Sequence, residues 1–249
     1  MPSLPRSVQV LFAMFALAAP ELAAGVLEDR AIEDLIRRSF VLQHVVSDPT
    51  MVQVFVGRGA VELRGQVAHE EERRLVGDAL ARLVGVARVD NRLFVDSGDR
   101  RKTARWKADR LRSHLMARGD VELTPFVVRA RDDAIELGGT VRTAAQRDAL
   151  VAIAQAVAPP FAVRDLLEID PGVAARSVTV DDASVAALVH ETLAEIAGAR
   201  IAPQDVASAE GRVTLDGAVV RIEDVARAAR LAAAIRGVRK VENRVVVRP

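Results

Sequence analysis

Val61-Glu-Leu-Arg-Gly65-Gln-Val67, Ile135-Glu-Leu-Gly-Gly139-Thr-Val141 and Val213-Thr-Leu-Asp-Gly217-Ala-Val219 are one phrase written three times, 74 and then 78 residues apart. Each is a period-2 strand, apolar on one face and mostly polar on the other, with a glycine at its fifth place. Turn residues stand just upstream: Gly57-Arg58-Gly59, Asp132-Asp133 and Glu210-Gly211. Before them lie Val54 and Val56, Phe126 and Val128, and Val206. Strand, turn and strand read as a β-hairpin.

Downstream of each glycine the period changes to that of a helix. Val76, Ala79, Leu80 and Leu83 recur at i, i+3, i+4 and i+7. Leu150, Ile153, Ala154 and Val157 repeat the stripe, and so do Ala228, Leu231, Ala232 and Ile235. Thr143-Ala-Ala-Gln146 has the pattern of a capping box. Glu70, Glu71, Glu72, Glu223 and Asp224 put negative charge in first turns, where the helix dipole favours it. Gly85-Val86 and Gly237-Val238 suit a left-handed C-terminal cap. The second copy has Pro159-Pro160 there and must end its helix differently. A last strand follows in each: Val89-Asp-Asn91-Arg-Leu93, Val163-Arg-Asp165-Leu-Leu167 and Val241-Glu-Asn243-Arg-Val245.

An amphipathic helix opens each copy. Ile32, Leu35 and Ile36 mark the first, and Ala104, Ala108, Leu111 and Leu115 the second. Val185, Leu188, Val189 and Ile196 mark the third, with Thr192 interrupting the stripe. The order is α-β-β-α-β over 29–96, 103–169 and 181–248. A hairpin plus a right-handed β-α-β crossover predicts an α+β fold: three tandem units, each a small mixed three-stranded sheet with two helices on one face. The linkers are short, Ser97 to Arg100 and Pro171 to Ser177.

The phrase V-x-L-x-G-x-V, then helix, then G-V-x-x-V-x-N-x-L/V, resembles the BON domain, named for bacterial osmotically inducible and nodulation proteins. Asn91 and Asn243 match the family's asparagine and read as structural, satisfying backbone groups near the last strand. The second copy departs most, with Pro159 for the glycine and Asp165 for the asparagine. The resemblance implies a periplasmic protein that attaches to phospholipid membranes and supports envelope integrity under osmotic stress. A two-domain relative binds anionic lipid through its second unit, and a BON unit also occurs in a cytoplasmic potassium-binding protein beside a LysM-type module that this chain lacks.

Composition narrows the classes further. The chain has 249 residues, 50% of them hydrophobic, with a net charge of +1, no Cys, no Tyr and one Trp. That is a globular composition. A near-neutral balance with few aromatics argues against nucleic acid as a partner. Without Cys there is no disulfide, thiolate nucleophile, Cys-held metal or lipidated cysteine anchor. His44, His69, His114 and His190 form no HxxxH or HExxH pair, so no metal and no cofactor is expected. No GxSxG elbow occurs, and Gly57-Arg58-Gly59 sits in a hairpin turn, not at a helix start. The chain reads as a non-enzyme.

Residues 1–24 read as an export signal. Arg6 precedes an apolar run, Val8 to Ala19, and Leu22-Ala23-Ala24 is a small-residue exit. Periplasmic localisation follows, with an uncleaved inner-membrane anchor through 8–24 as the alternative.

One segment breaks the charge balance. Arg100, Arg101, Lys102, Arg105, Lys107, Arg110, Arg112 and Arg118 face only Asp99 and Asp109. At 100° per residue Trp106 falls opposite the buried stripe and points outward near Lys102, Arg110 and Ser113. Lys102, Arg105, Trp106, Lys107, Arg110 and Arg112 are therefore the candidate contact face for anionic phospholipid, since Trp favours the headgroup level and cations a negative leaflet. Burial of Trp106 against a neighbouring unit, or a surface for an envelope protein partner, are the other readings. A chaperone-like module and a small-ligand or ion site are the remaining functional alternatives.

Overall fold

The computed structural model describes residues 29–95 and 103–248. The expectations for 1–24, for the 97–100 linker, and for Arg100, Arg101 and Lys102 lie outside them. Among the described residues the chain forms six α-helices and one three-stranded sheet per unit.

The first unit runs α1 (29–38), β1 (Val52–Gly57), β2 (Ala60–Val67), α2 (Glu70–Ala81) and β3 (Arg88–Val95). The second runs α3 (Ala104–Ala117), β4 (Phe126–Arg131), β5 (Ala134–Val141), α4 (Ala144–Val157) and β6 (Ala162–Ile169). In the third, α5 (Asp182–Leu193), β7 (Val206–Ala209), β8 (Arg212–Leu215) and β9 (Ala218–Val219) precede α6 (Ile222–Ala233), β10 (Lys240–Asn243) and β11 (Val246–Val247). In each three-stranded sheet the middle strand pairs antiparallel with its hairpin partner and parallel with the last strand, and β9 and β11 pair parallel as a separate two-stranded sheet.

The glycine of the repeated phrase has a backbone reason. Gly65, Gly139 and Gly217 all have positive φ, 108°, 95° and 107°. A Cβ at Gly65 would overlap the Met51 carbonyl oxygen, and one at Gly139 that of Pro125. The register runs unbroken through Gly65 and Gly139, so the glycine serves a close passage of the neighbouring carbonyl rather than an inserted residue.

The asparagines act as expected. Asn91 donates from Nδ2 to the Arg73 carbonyl (2.8 Å) and accepts from the Leu93 amide (3.2 Å). Asn243 does the same with Val225 and Val245. Asp165 still accepts from the Leu167 amide but cannot donate, and the Arg147 guanidinium turns to it at 2.6 Å.

The helix stripes are buried where the periodicity places them: Val76, Ala79, Leu80, Ala108, Leu111, Leu115, Leu150, Ala154, Ala228 and Ala232. Leu35 differs, being 41% exposed, because Ile32 and Ile36 already fill the line that faces the sheet. At Thr143 one arm of the capping box forms, Gln146 N–H to Thr143 Oγ1 at 3.1 Å. The other arm goes one residue further out, with Gln146 Oε1 accepting from the Arg142 amide. The second unit's helix closes with the Ala158 amide on the Ala154 carbonyl, just before Pro159-Pro160.

The first and third units share one hydrophobic core, while the second has its own. Helix α5 is the reason. Ser184, Val185, Ala186, Ala187, Leu188, Val189 and Leu193 are all buried, because α5 lies between its own sheet and α2 of the first unit.

Candidate site at the three-unit junction

The basic helix α3 is the second unit's contact with the first. Thr103 caps it, accepting from the Trp106 amide at 3.2 Å. Trp106 does point away from its own core, as its helical phase predicts, but it meets the first unit. Its Nε1 donates to the Ala68 carbonyl (3.2 Å), and its ring meets His69 edge-on at 4.5 Å. Lys107 Nζ and the Arg110 guanidinium lie over the indole at 5.8 and 5.6 Å. Cations stacked on indole stabilise this corner by about 0.5–1 kcal/mol each.

The neighbouring cations divide between contact and solvent. Arg110 pairs with Glu71 at 2.9 Å, and Arg112 donates to the Ser47 carbonyl at 3.1 Å. Lys107 donates to the Val157 carbonyl of its own unit at 3.1 Å. Arg105 is exposed. The helix face proposed for lipid thus has Trp106, Arg110 and Arg112 engaged with the first unit and Arg105 open to solvent.

Glu72 is the buried charge beneath this corner, 2% exposed. It accepts from the amides of Ser47 (3.0 Å) and Ala68 (3.1 Å) and from the Ser47 hydroxyl, with His69 Nε2 at 3.9 Å. Burial pushes its carboxyl above the usual range, against the hydrogen bonds from Ser47 and Ala68 that pull it down.

Beside it a cavity of ≈ 310 Å³ opens where the three units meet. Glu71, Glu72 and Arg74 line it from the first unit, His114 from the second, and Glu191 and Glu195 from the third. Arg74 pairs with Glu191 across the first–third contact. Burial lowers the His114 pKa, and Arg118 adds to the shift. Among the described residues no group of three or more His, Asp or Glu is placed to hold a metal ion. No helix among them is long and apolar enough to cross a membrane.

Several joining residues have no periodic signature. Arg82 donates to the Val206 carbonyl (2.6 Å) and to that of Pro203. Asp78 holds both Arg82 and His190. Asp181 and Ser184 accept from the Phe40 and Val41 amides. Arg236 donates to the carbonyls of Met116 (2.8 Å), Arg118 and Val121 (2.7 Å). Comparing the copies would have found two of these. Arg82 stands where the others have Ala156 and Ala234, and Arg236 where they have Val84 and Ala158.

A triplicated α-β-β-α-β unit, joined through carbonyl-directed arginines, defines a protein of tandem small modules. The chain belongs to the BON-domain family: the BON domain matches at residues 28–97, 103–171 and 181–249. Two solved structures are similar to it, both of CdsD, a structural protein of the type III secretion system of Chlamydia trachomatis. One covers 90% of this chain and 92% of that one at 16% identity and a TM-score of 0.24. The other, of the C-terminal domain, covers 88% and 96% at 15% identity and a TM-score of 0.22. At such scores the likeness bears on neither arrangement nor function. Among curated proteins none matches.

Proposed function

We propose that this chain is a non-catalytic, exported BON-domain protein that attaches peripherally to anionic phospholipid and supports the envelope under osmotic stress. One observation carries the proposed contact. On the outward sheet face of the first unit, Phe55 and Phe94 are 49% and 58% exposed, with Met51 at 48%. They stand among exposed Arg64, Arg88 and Arg92, the Arg64 guanidinium lying 5.2 Å over the Phe55 ring. Exposed aromatics framed by arginines suit a headgroup layer, where rings insert shallowly and each cation near a negative leaflet contributes about 1 kcal/mol. Arg105 of α3 is a second, smaller cationic contribution. The acidic residues Glu62 and Asp90 on the same sheet face pair with Arg64 and Arg92 and moderate the attraction.

Co-sedimentation with phosphatidylglycerol vesicles, against phosphatidylcholine vesicles, tests the reading. Binding is expected to the anionic vesicles only and to weaken with salt, because exposed charges are screened beyond about 8–10 Å at ordinary ionic strength. Phe55→Ser with Phe94→Ser should abolish it, whereas Arg105→Ala with Trp106→Phe should leave most of it. The reverse ranking would move the contact to α3. No binding to anionic vesicles would leave an envelope protein partner as the reading.

A further inference from the structure

The three copies differ in one row of their outward sheet faces. In the first unit, pairing aligns Gln53, Arg64 and Arg92 across the sheet. The same offsets give Asp205, Asp216 and Arg244 in the third. In the second unit the row is Val127, Gly138 and Leu166. A row that is polar and charged in both sister units is apolar in this one. Val127 and Leu166 are 40% and 57% exposed, with glycine between them leaving the middle flat. Its flanking rows carry charge. On one side stand Arg129, Glu136 and Arg164, and on the other Thr140 and Glu168.

We infer that the outward sheet face of the second unit is a self-association surface, and that its occupant is the same face of a second copy. The charges select the geometry. A twofold axis along the Val127–Gly138–Leu166 row stacks Leu166 on Leu166 and Val127 on Val127. It brings Arg164 of each copy opposite Glu168 of the other, and Glu136 opposite Thr140. A twofold axis along the strands would instead set Arg129 against Arg164, like charge on like charge. Only the first arrangement is self-complementary, as an isologous contact requires. Arg164 is free to take part: its guanidinium is half-exposed, with in-chain partners Glu136 at 3.3 Å and Asp132 at 3.8 Å. Face-to-face sheets pack about 10 Å apart, within reach of Arg and Glu side chains.

The size of the face sets the class of contact. Strands of six, eight and eight residues span roughly 14 Å by at most about 26 Å. That is about half of the ~800 Å² per partner of a standard interface. A contact of this size suits a weak, reversible dimer and not a permanent assembly.

Sedimentation equilibrium of the mature chain, from a few micromolar to about a millimolar, tests it. A monomer–dimer equilibrium is expected. Leu166→Glu should abolish it, and Glu168→Arg and Arg164→Glu should each weaken it roughly tenfold, since the axis repeats every exposed pair twice. The double variant Arg164→Glu with Glu168→Arg should restore it to within a few-fold of the parent. Circular dichroism of each variant confirms folding. A chain monomeric throughout, or a dimer indifferent to Leu166→Glu, overturns the inference. So does a double charge swap that fails to restore association.

Discussion

At the scale of single residues, the last-strand position shows how one chemical group decides what its neighbours must do. The amide of Asn91 or Asn243 both donates and accepts, whereas the carboxylate of Asp165 only accepts, and Arg147 compensates. Asn243→Asp should cost about 1–3 kcal/mol, because the new carboxylate faces the Val225 carbonyl and no arginine stands at that position. Asn91→Asp should cost less, because Arg73 occupies the place of Arg147. Urea unfolding of the two variants gives the ranking. The asparagine role was legible in the sequence from its place before the final strand residues. The compensating arginine was not, because it lies eighteen residues away in a helix and has no motif.

Protonation belongs to the same scale. Burial lowers the pKa of both His44 and His114. The unfolded chain then binds protons that the folded one refuses, so stability is complete above the ordinary value of 6.5 and falls as the pH drops below it. Asp78 acts later. Burial works to raise its pKa, but hydrogen bonds from His190 and Arg82 outweigh this and hold it below its usual 3.8. Its contribution is present above 3.8 and disappears as the pH falls through the lowered value. Glu72 opposes the trend, since protonating a carboxyl raised by burial relieves the folded state. The urea midpoint should decline in two stages, one below neutrality and one in strong acid. Replacing His44 and His114 by glutamine should remove the first.

At the scale of elements, the repeated strand phrase keeps its glycine because a positive φ and a carbonyl passing close by leave no room for a side chain. Gly65→Ala should cost about 3 kcal/mol or prevent folding, since it adds both a forbidden φ and an overlap with the Met51 carbonyl, and expression with thermal unfolding will read it. The helices and strands were legible almost throughout, because hydrophobic period survives any change of partner. Helix α3 marks where that legibility stops. Its phase correctly turned Trp106 away from its own core, but phase says nothing of what waits outside. The packing against Ala68 and His69 depends on how units are joined. Trp106→Phe keeps the ring and removes the donor to Ala68. It should cost about 1 kcal/mol in urea unfolding, and the parent's emission should shift red only as the units separate.

At the scale of the whole molecule, sequence order and core membership disagree. The linear repeat suggests three beads, yet α2 and α5 bury one another across more than a hundred residues of chain. Leu80→Ala and Leu188→Ala should lower the same calorimetric transition, each by about 2–5 kcal/mol, while Leu137→Ala should act on a separate one. This sharing was not legible from the repeat, because the apolar stripe of α5 looks like that of any half-buried helix until its second face is counted.

The shared core also dictates a timetable. A polypeptide is made, and an exported one threaded across the membrane, from its amino end, so the first unit emerges without the helix that completes it. If emergence keeps pace with synthesis, at about 5–20 residues per second, α5 follows α2 by on the order of 5–25 seconds. For that interval the exposed side of α2, with Leu75 and its neighbours, waits uncovered, while the second unit, complete in itself, can already close. The protein's birth order is thus second, then first and third together, and the nascent first unit is the stage at which a holding factor would matter most.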